Sequence, residues 1–336
     1  MRIKTALAAF LLLTGITATL AQTPNSVRYS NTTPPAPNGQ RNVQWQNDTS
    51  TPTVNLSAYV LYPTVQVACP TSGDLGAPLN TAIAALPSGT GGTADARACT
   101  AATSITTAVS FTNPHTSVLL PCATLTTSLT ITIAATAHNS QILGCAYSAG
   151  SPVSGSSAGT LINYTGSGTA IQVGDPTHAN YTNGLDLRSF GISLVGAANG
   201  ATALQIYAVE RYRLDSLYIS GNNTATQTGI YIDGTGWYAS GLAENNTMQD
   251  IGIGYSLTGH LNGGTRIDYV NFSTFISNQI WCADNNGAQI NGTIGILDNQ
   301  SYGDIWIGGG VFRCSTPNSV TTSAVPAMSL GFYIYP

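Results

Sequence analysis

The sequence predicts an all-β protein, a parallel β-helix (solenoid) with one short N-terminal capping helix and an extended N-terminal arm. Three observations point there. The 336 residues are 43% hydrophobic but only 7% charged, with 36 Gly and 16 Tyr among abundant Thr, Ser and Asn, a composition that suits short strands and tight turns. From about residue 118 the chain shows no helical period, only short alternating apolar runs separated by Gly, Asn and Ser. Those runs recur in two templates that alternate along the chain.

Taken in order, Arg2 and Lys4 precede an apolar core from Ala6 to Leu13, and small residues lead to Thr19-Leu20-Ala21. This is the pattern of a signal peptide over 1–21, cleaved after Ala21, and it predicts a secreted or cell-surface protein. The apolar stretch is broken by Thr14, Gly15 and Thr17, and no later segment approaches a membrane span. Residues 22–69 carry Pro24, Pro34, Pro35, Pro37, Pro52 and Pro63 and read as the N-terminal arm. Leu79, Ala82, Ile83 and Leu86 have the spacing of one amphipathic helix, which Pro87-Ser88-Gly89 stops. Residues 70–336 form the expected β-helix domain.

The first template is apolar-x-x-apolar-x-apolar-Ser/Gly. It begins at Leu187, Leu214, Met248, Ile267 and Tyr302, with irregular spacing that implies loop insertions or a shifted Met248 copy. The second, Ala/Gly-apolar-x-Val/Ile, begins at Ala170, Ala203, Gly229 and Gly331. Each coil of a β-helix contributes one strand to each of several sheets and buries its apolar side only when stacked on its neighbours. Leu187, Leu214 and Ile267 are therefore expected in one inward column, with the closing Ser or Gly at the bend. A β-sandwich would instead show hairpins at regular spacing and no alternating template. The chain ends two residues after the last copy, on an expected strand without a polar cap. Either the chain is a fragment of a longer protein, or a partner subunit covers that coil and makes an oligomer.

The cysteines are Cys69, Cys99, Cys122, Cys145, Cys282 and Cys314. An even count behind a signal peptide favours disulfides, and separations matching one turn of the coil suggest 69–99, 122–145 and 282–314. No metal site is expected, since there is no CxxC pair and His115, His138, His178 and His260 are dispersed. His115, His138 and His178 read as surface or turn residues, while His260, with Glu244 and Asp250, is a candidate polar partner for a sugar beside Trp237 and Tyr238. Calcium would need oxygen ligands that the scattered Asp do not assemble, so no cofactor is expected.

The stretch from Gly73-Asp74 through Leu79-Asn80-Thr81-Ala82-Ile83 to Leu86-Pro87-Ser88-Gly89-Thr90-Gly91-Gly92 resembles the opening segment of the pectate lyase-like superfamily, which includes tailspike-type and rhamnogalacturonase-like proteins. The resemblance spans about 70–336. It implies a right-handed parallel β-helix, a hand that parallel crossovers generally prefer, with the helix capping the first coil. The family's usual catalytic motifs are absent: Gly259-His260 is followed by Leu261, and Arg266-Ile267 by Asp268. No catalytic residue carries over.

Charge narrows the function further. Beyond the leader the only bases are eight Arg, which argues against a nucleic-acid partner. Aligning the first template sets Asp186 and Arg188 against Arg213 and Asp215, a swapped-sign ladder, with Arg266 and Asp268 repeating it further along. That ladder is either a structural device or a sugar-contacting row. Glu244, Asp250, Arg266 and Asp268 are the catalytic candidates. Trp237, Tyr238, Arg213 and Trp306 are the carbohydrate-binding candidates, with Trp237 and Tyr238 in an insertion and Trp306 and Tyr218 outward on the template. The sequence thus predicts a secreted β-helix that binds or cleaves extracellular polysaccharide. A non-catalytic surface, adhesion or structural protein is the alternative.

Overall fold

The computed structural model describes residues 27–29, 43–45, 62–146, 159–221, 227–234, 247–249, 252–253, 263–268, 273–282, 289–299, 305–321, 328–330 and 333–335. The chain divides into two compact units, Met1–Leu61 and Tyr62–Pro336. In the first, Val27–Tyr29 and Val43–Trp45 pair antiparallel. Among its described residues the second is almost wholly β, with one helix and parallel strand pairing throughout its 16-stranded and 8-stranded sheets.

The 16-stranded sheet is folded into two ladders. The first runs from Thr64–Gln66 through Gly92–Asp95, Thr116–Leu119 and Ser140–Leu143. It continues through 185–188 and 212–215 to Thr247–Gln249, Thr274–Ile276, Ile305–Ile307 and Met328–Leu330. The second ladder joins Thr124–Thr127, Leu161–Tyr164, 190–193 and 217–220 to Gly252–Ile253, Gln279–Trp281, Gly310–Phe312 and Tyr333–Tyr335. The 8-stranded sheet is the third ladder, from Ser110–Phe111 to Cys314–Thr321. Each passage of the chain therefore lays one strand on each ladder, beside the strand laid one passage earlier.

Side chains alternate across a strand, so in-register stacking builds continuous apolar columns. In the first ladder Val118, Ile142, Leu187 and Leu214 lie in one column and are all buried. In the second the column is Leu125, Ile162, Ile192 and Ile219, and in the third Ile171, Leu204 and Ile230. The helix Gly76–Ala84 buries Leu79, Ala82 and Ile83 against Thr64–Gln66 and Gly92–Asp95. Asp74 secures it. Its Oδ1 accepts N–H bonds from Gly76 at 2.9 Å and Thr106 at 2.7 Å, while Oδ2 accepts from the Thr107 hydroxyl at 2.7 Å.

The long strands Thr182–Ser193 and Val209–Ser220 pass from the first ladder to the second by bending at Ser189 and Ser216, where φ is +61° and +54°. The closing Ser193 and Ser220 are buried and are the last residues of their strands, so the bend at Ser189 and Ser216 is an additional one within each template. One short template therefore straddles two ladders, with Leu187 on the first and Phe190 and Ile192 on the second.

Two template copies are also reassigned. Ile267 lies on the third ladder, opposite Ile232, while Met248 and Phe275 continue the Leu214 column. Ile267 is the one large apolar residue of the strand Gly263–Asp268, and the other apolar residues of that template copy, Val270 and Phe272, are not part of the strand. The copy at Gly331 likewise belongs to the second ladder, where Ile334 stands opposite Val311. Disulfides join Cys69 to Cys99, Cys122 to Cys145 and Cys282 to Cys314, separated by 30, 23 and 32 residues, so each closes about one passage. Among the described residues no helix is long and apolar enough to cross a membrane.

Candidate functional site

The densest array of charge lies on the outward row of the first ladder. Alternation fixes it there: Leu187 and Leu214 point inward, so Asp186, Arg188, Arg213 and Asp215 point outward. The register sets Asp186 opposite Arg213 and Arg188 opposite Asp215. Opposite charges on adjacent strands favour that register over a like-charge one.

The ion pairs themselves run within each strand. Arg188 Nε lies 2.7 Å from Asp186 Oδ1, and Arg213 Nη2 pairs with Asp215 Oδ2. Ser216 supports the second pair by donating its hydroxyl to Asp215 Oδ1 at 2.8 Å. The arginine side chains keep 33% and 45% of their surface and the carboxylates 19% and 12%, while Arg188 Nε and Asp186 Oδ1 are themselves buried. Burial pushes the Asp186 carboxyl above the ordinary aspartate range, opposed by the Arg188 and Arg213 charges and reinforced by Asp215.

Hydrogen-bonding groups extend the row on both sides. Gln141 stands opposite Asp186 and accepts a bond from the Ser117 hydroxyl at 3.3 Å, while Thr247 and Gln249 stand opposite Arg213 and Asp215. Further along, Arg97 grips Asp95 through Nε at 3.0 Å and Nη2 at 2.7 Å. That guanidinium holds Asp95 down at about 2 against the opposing effect of burial.

A second cluster lies on the third ladder. Asp233 accepts a bond from the Tyr231 hydroxyl at 3.0 Å and sits 3.3 Å from His178 Nε2. The His178 ring meets Tyr207 edge-on at 5.5 Å, and burial together with the Asp233 charge pushes the Tyr207 phenol up. His178 is held at φ +57° by a turn in which Asp175 accepts bonds from Thr177 and Asn180. The pair clamps that turn onto the strands of the next two passages. Sequence reasoning missed it because His178 and Asp233 are remote in the chain; the one available signal was the second template, which aligns Tyr207 with Asp233.

Of the sequence candidates, Arg213 alone falls in the first-ladder cluster. Arg266 and Asp268 do not extend it: they lie on the third ladder, opposite Tyr231 and Asp233. The backbone of Trp306 stands opposite Phe275 on the first ladder. Tyr218 is 5% exposed, covered between windings that place Gly191 and Gly252 opposite it. Trp237, Tyr238, Glu244, Asp250 and His260 lie outside the described residues. His115 and His138 serve turns, His115 N–H donating to the His138 carbonyl and His138 Nδ1 accepting from Asn183 N–H. Among the described residues no group of three or more His, Cys, Asp or Glu is arranged to hold a metal ion.

These ladders and the outward charge cluster define a mostly parallel, all-β class of protein. No protein-family model matches the chain, and no curated protein matches it. Among solved structures, ORF18 of Geobacillus virus E2 is similar at 12% identity and a TM-score of 0.32, over 92% of this chain and 66% of that one. The present chain therefore spans slightly less than two thirds of that protein's length, and a likeness at this level carries no functional argument.

Proposed function

We propose that the chain is an exported, right-handed parallel β-helix that binds an extracellular polysaccharide along the outward row of its first ladder. The observation that carries this reading is the Asp186, Arg188, Arg213 and Asp215 cluster, four oriented polar side chains on rigid, adjacent strands. Guanidinium N–H groups and carboxylate oxygens side by side can donate to and accept from neighbouring sugar hydroxyls at once. A row of such groups suits a polymer better than a compact ligand. The hand follows the preference of parallel crossovers, and the leader with three disulfides suits an oxidising, extracellular setting.

Binding fits the described residues better than cleavage. Both carboxylates of the cluster are engaged by arginines of their own strands, whereas a cleaving pair needs one acid free to give or take a proton. Trp237 and Tyr238 are proposed to supply ring-stacking faces. Glu244 is the acid whose replacement tests catalysis.

The test uses the purified chain and a panel of neutral and acidic polysaccharides, reading affinity, reducing ends and unsaturated products. Binding weakened at least about tenfold by Arg213→Ala, equivalent to about 1.4 kcal/mol, with no product, supports the proposal. Absence of binding to every polymer overturns it in favour of a non-binding structural or adhesion protein. Product formation abolished by Glu244→Gln makes the protein an enzyme instead.

A further inference from the structure

We infer that the polysaccharide taken by this face is neutral and rich in adjacent hydroxyls, and that the face excludes polyuronates. The inference rests on the binding role proposed above and names its substrate class.

The argument starts from where positive charge goes in this molecule. Arg97, Arg188, Arg211 and Arg213 each pair with a carboxylate one or two residues away on the same stretch of chain, namely Asp95, Asp186, Glu210 and Asp215. The pairing is local, so each of these four arginines is neutralised within its own winding before a ligand arrives. At the cluster the signs also alternate between windings, because Asp186 faces Arg213 and Arg188 faces Asp215. Adjacent strands lie about 4.8 Å apart, while the screening length at 0.1 M salt is about 10 Å. A uronate carboxylate approaching the row therefore meets two positive and two negative charges together, with no net attraction.

Beyond the cluster the field is unfavourable to an anion. The whole chain carries a formal charge of −4, and a polyanion is repelled by that background. A uronate that took the exposed edge of a guanidinium would bring its charge beside the aspartate already paired there, and that like charge offsets the attraction. A neutral diol has no such conflict. One hydroxyl accepts from the exposed edge of an arginine while its neighbour donates to the paired aspartate, so the existing ion pair becomes the recognition unit. Gln141 adds amide groups of the same kind in line with Asp186.

The test compares wild type with Asp186→Asn/Asp215→Asn, which keeps side-chain shape but leaves both arginines uncompensated. Asp186→Asn alone serves as the milder variant should the double one fold poorly, with circular dichroism and the unfolding midpoint recorded for each. Affinities for a panel of neutral galactans, glucans and xylans, and for polygalacturonate, are measured at 20 and 200 mM salt. The expected result is salt-independent binding of a neutral polymer by wild type, at least tenfold weaker binding of polygalacturonate, and a tenfold or greater gain for polygalacturonate in a folded variant that salt abolishes. Wild type that prefers polygalacturonate, with a steep loss of affinity in salt, overturns the inference while leaving the binding face intact. So does a folded variant with no gain. Wild type that binds neither class overturns the binding face itself, and the inference with it.

Discussion

Asp74 shows how much one carboxylate can organise. Burial alone would push it up, yet the Thr107 hydroxyl and the N–H groups of Thr106, Gly76 and Ala77 hold it at about 2, against the ordinary 3.8. A carboxylate with a lowered folded value stabilises the protein above its unfolded pKa, and the benefit disappears as the pH falls through the folded one. Asp74→Asn is expected to cost roughly 1–2 kcal/mol at pH 7, the scale of charge-assisted hydrogen bonds partly open to water. Denaturant titrations between pH 5 and about 2 should show a shallower acid loss in the variant; an unchanged slope would remove Asp74 from this role. Asp186 works in the opposite sense. Its folded value is raised by burial, so its ionisation detracts from stability as the pH climbs through that value.

Bends between ladders depend on backbone that L-residues seldom adopt. Ser189, Ser216 and Ser277 hold φ at +61°, +54° and +54°, and Gly308, next in line, at +60°. The positive-φ series His115, Asn139, Gly184 and Arg211 marks a second line of corners, at the entrance to the first ladder. Ser189→Val should destabilise by about 1–2 kcal/mol, because a β-branched side chain resists this conformation, whereas Ser189→Gly should be near neutral. Equal unfolding midpoints for the two variants would show that φ is not what that corner demands. Apolar spacing made the strands legible in the sequence, and the helix too, since Leu79, Ala82 and Ile83 are the residues it buries. The corners were not legible, for a serine between a polar and an apolar residue looks the same inside a strand as at a bend. Ile267 was misplaced because a single apolar residue in Gly263–Asp268 does not show which ladder its strand joins, and only pairing distinguishes them.

The whole molecule rests on each passage of chain meeting the next in register, and that much could be read from the recurrence of Leu187 at Leu214 and of Ile171 at Leu204. The swapped charges at 186, 188, 213 and 215 were legible for the same reason, because an alignment of templates is an alignment of neighbours. What could not be read was any contact made by a turn reaching beyond its own passage, as His178 does to Asp233.

Strict register has an evolutionary corollary. Thr182 to Ser193 faces Val209 to Ser220 at a constant offset, so the polypeptide works like a spliced rope in which one lay of strand can be cut out and the ends rejoined. Excising 182–208 joins Tyr181 to Val209 and brings Leu214 beneath Ile142, the seat Leu187 now occupies. The shortened product should still fold, with an unchanged far-ultraviolet spectrum and a length reduced by one strand spacing, about 4.8 Å; insoluble or unfolded product would refute this. Tandem duplication of the same 27 residues would lengthen the ladders by the same step without designing a new core.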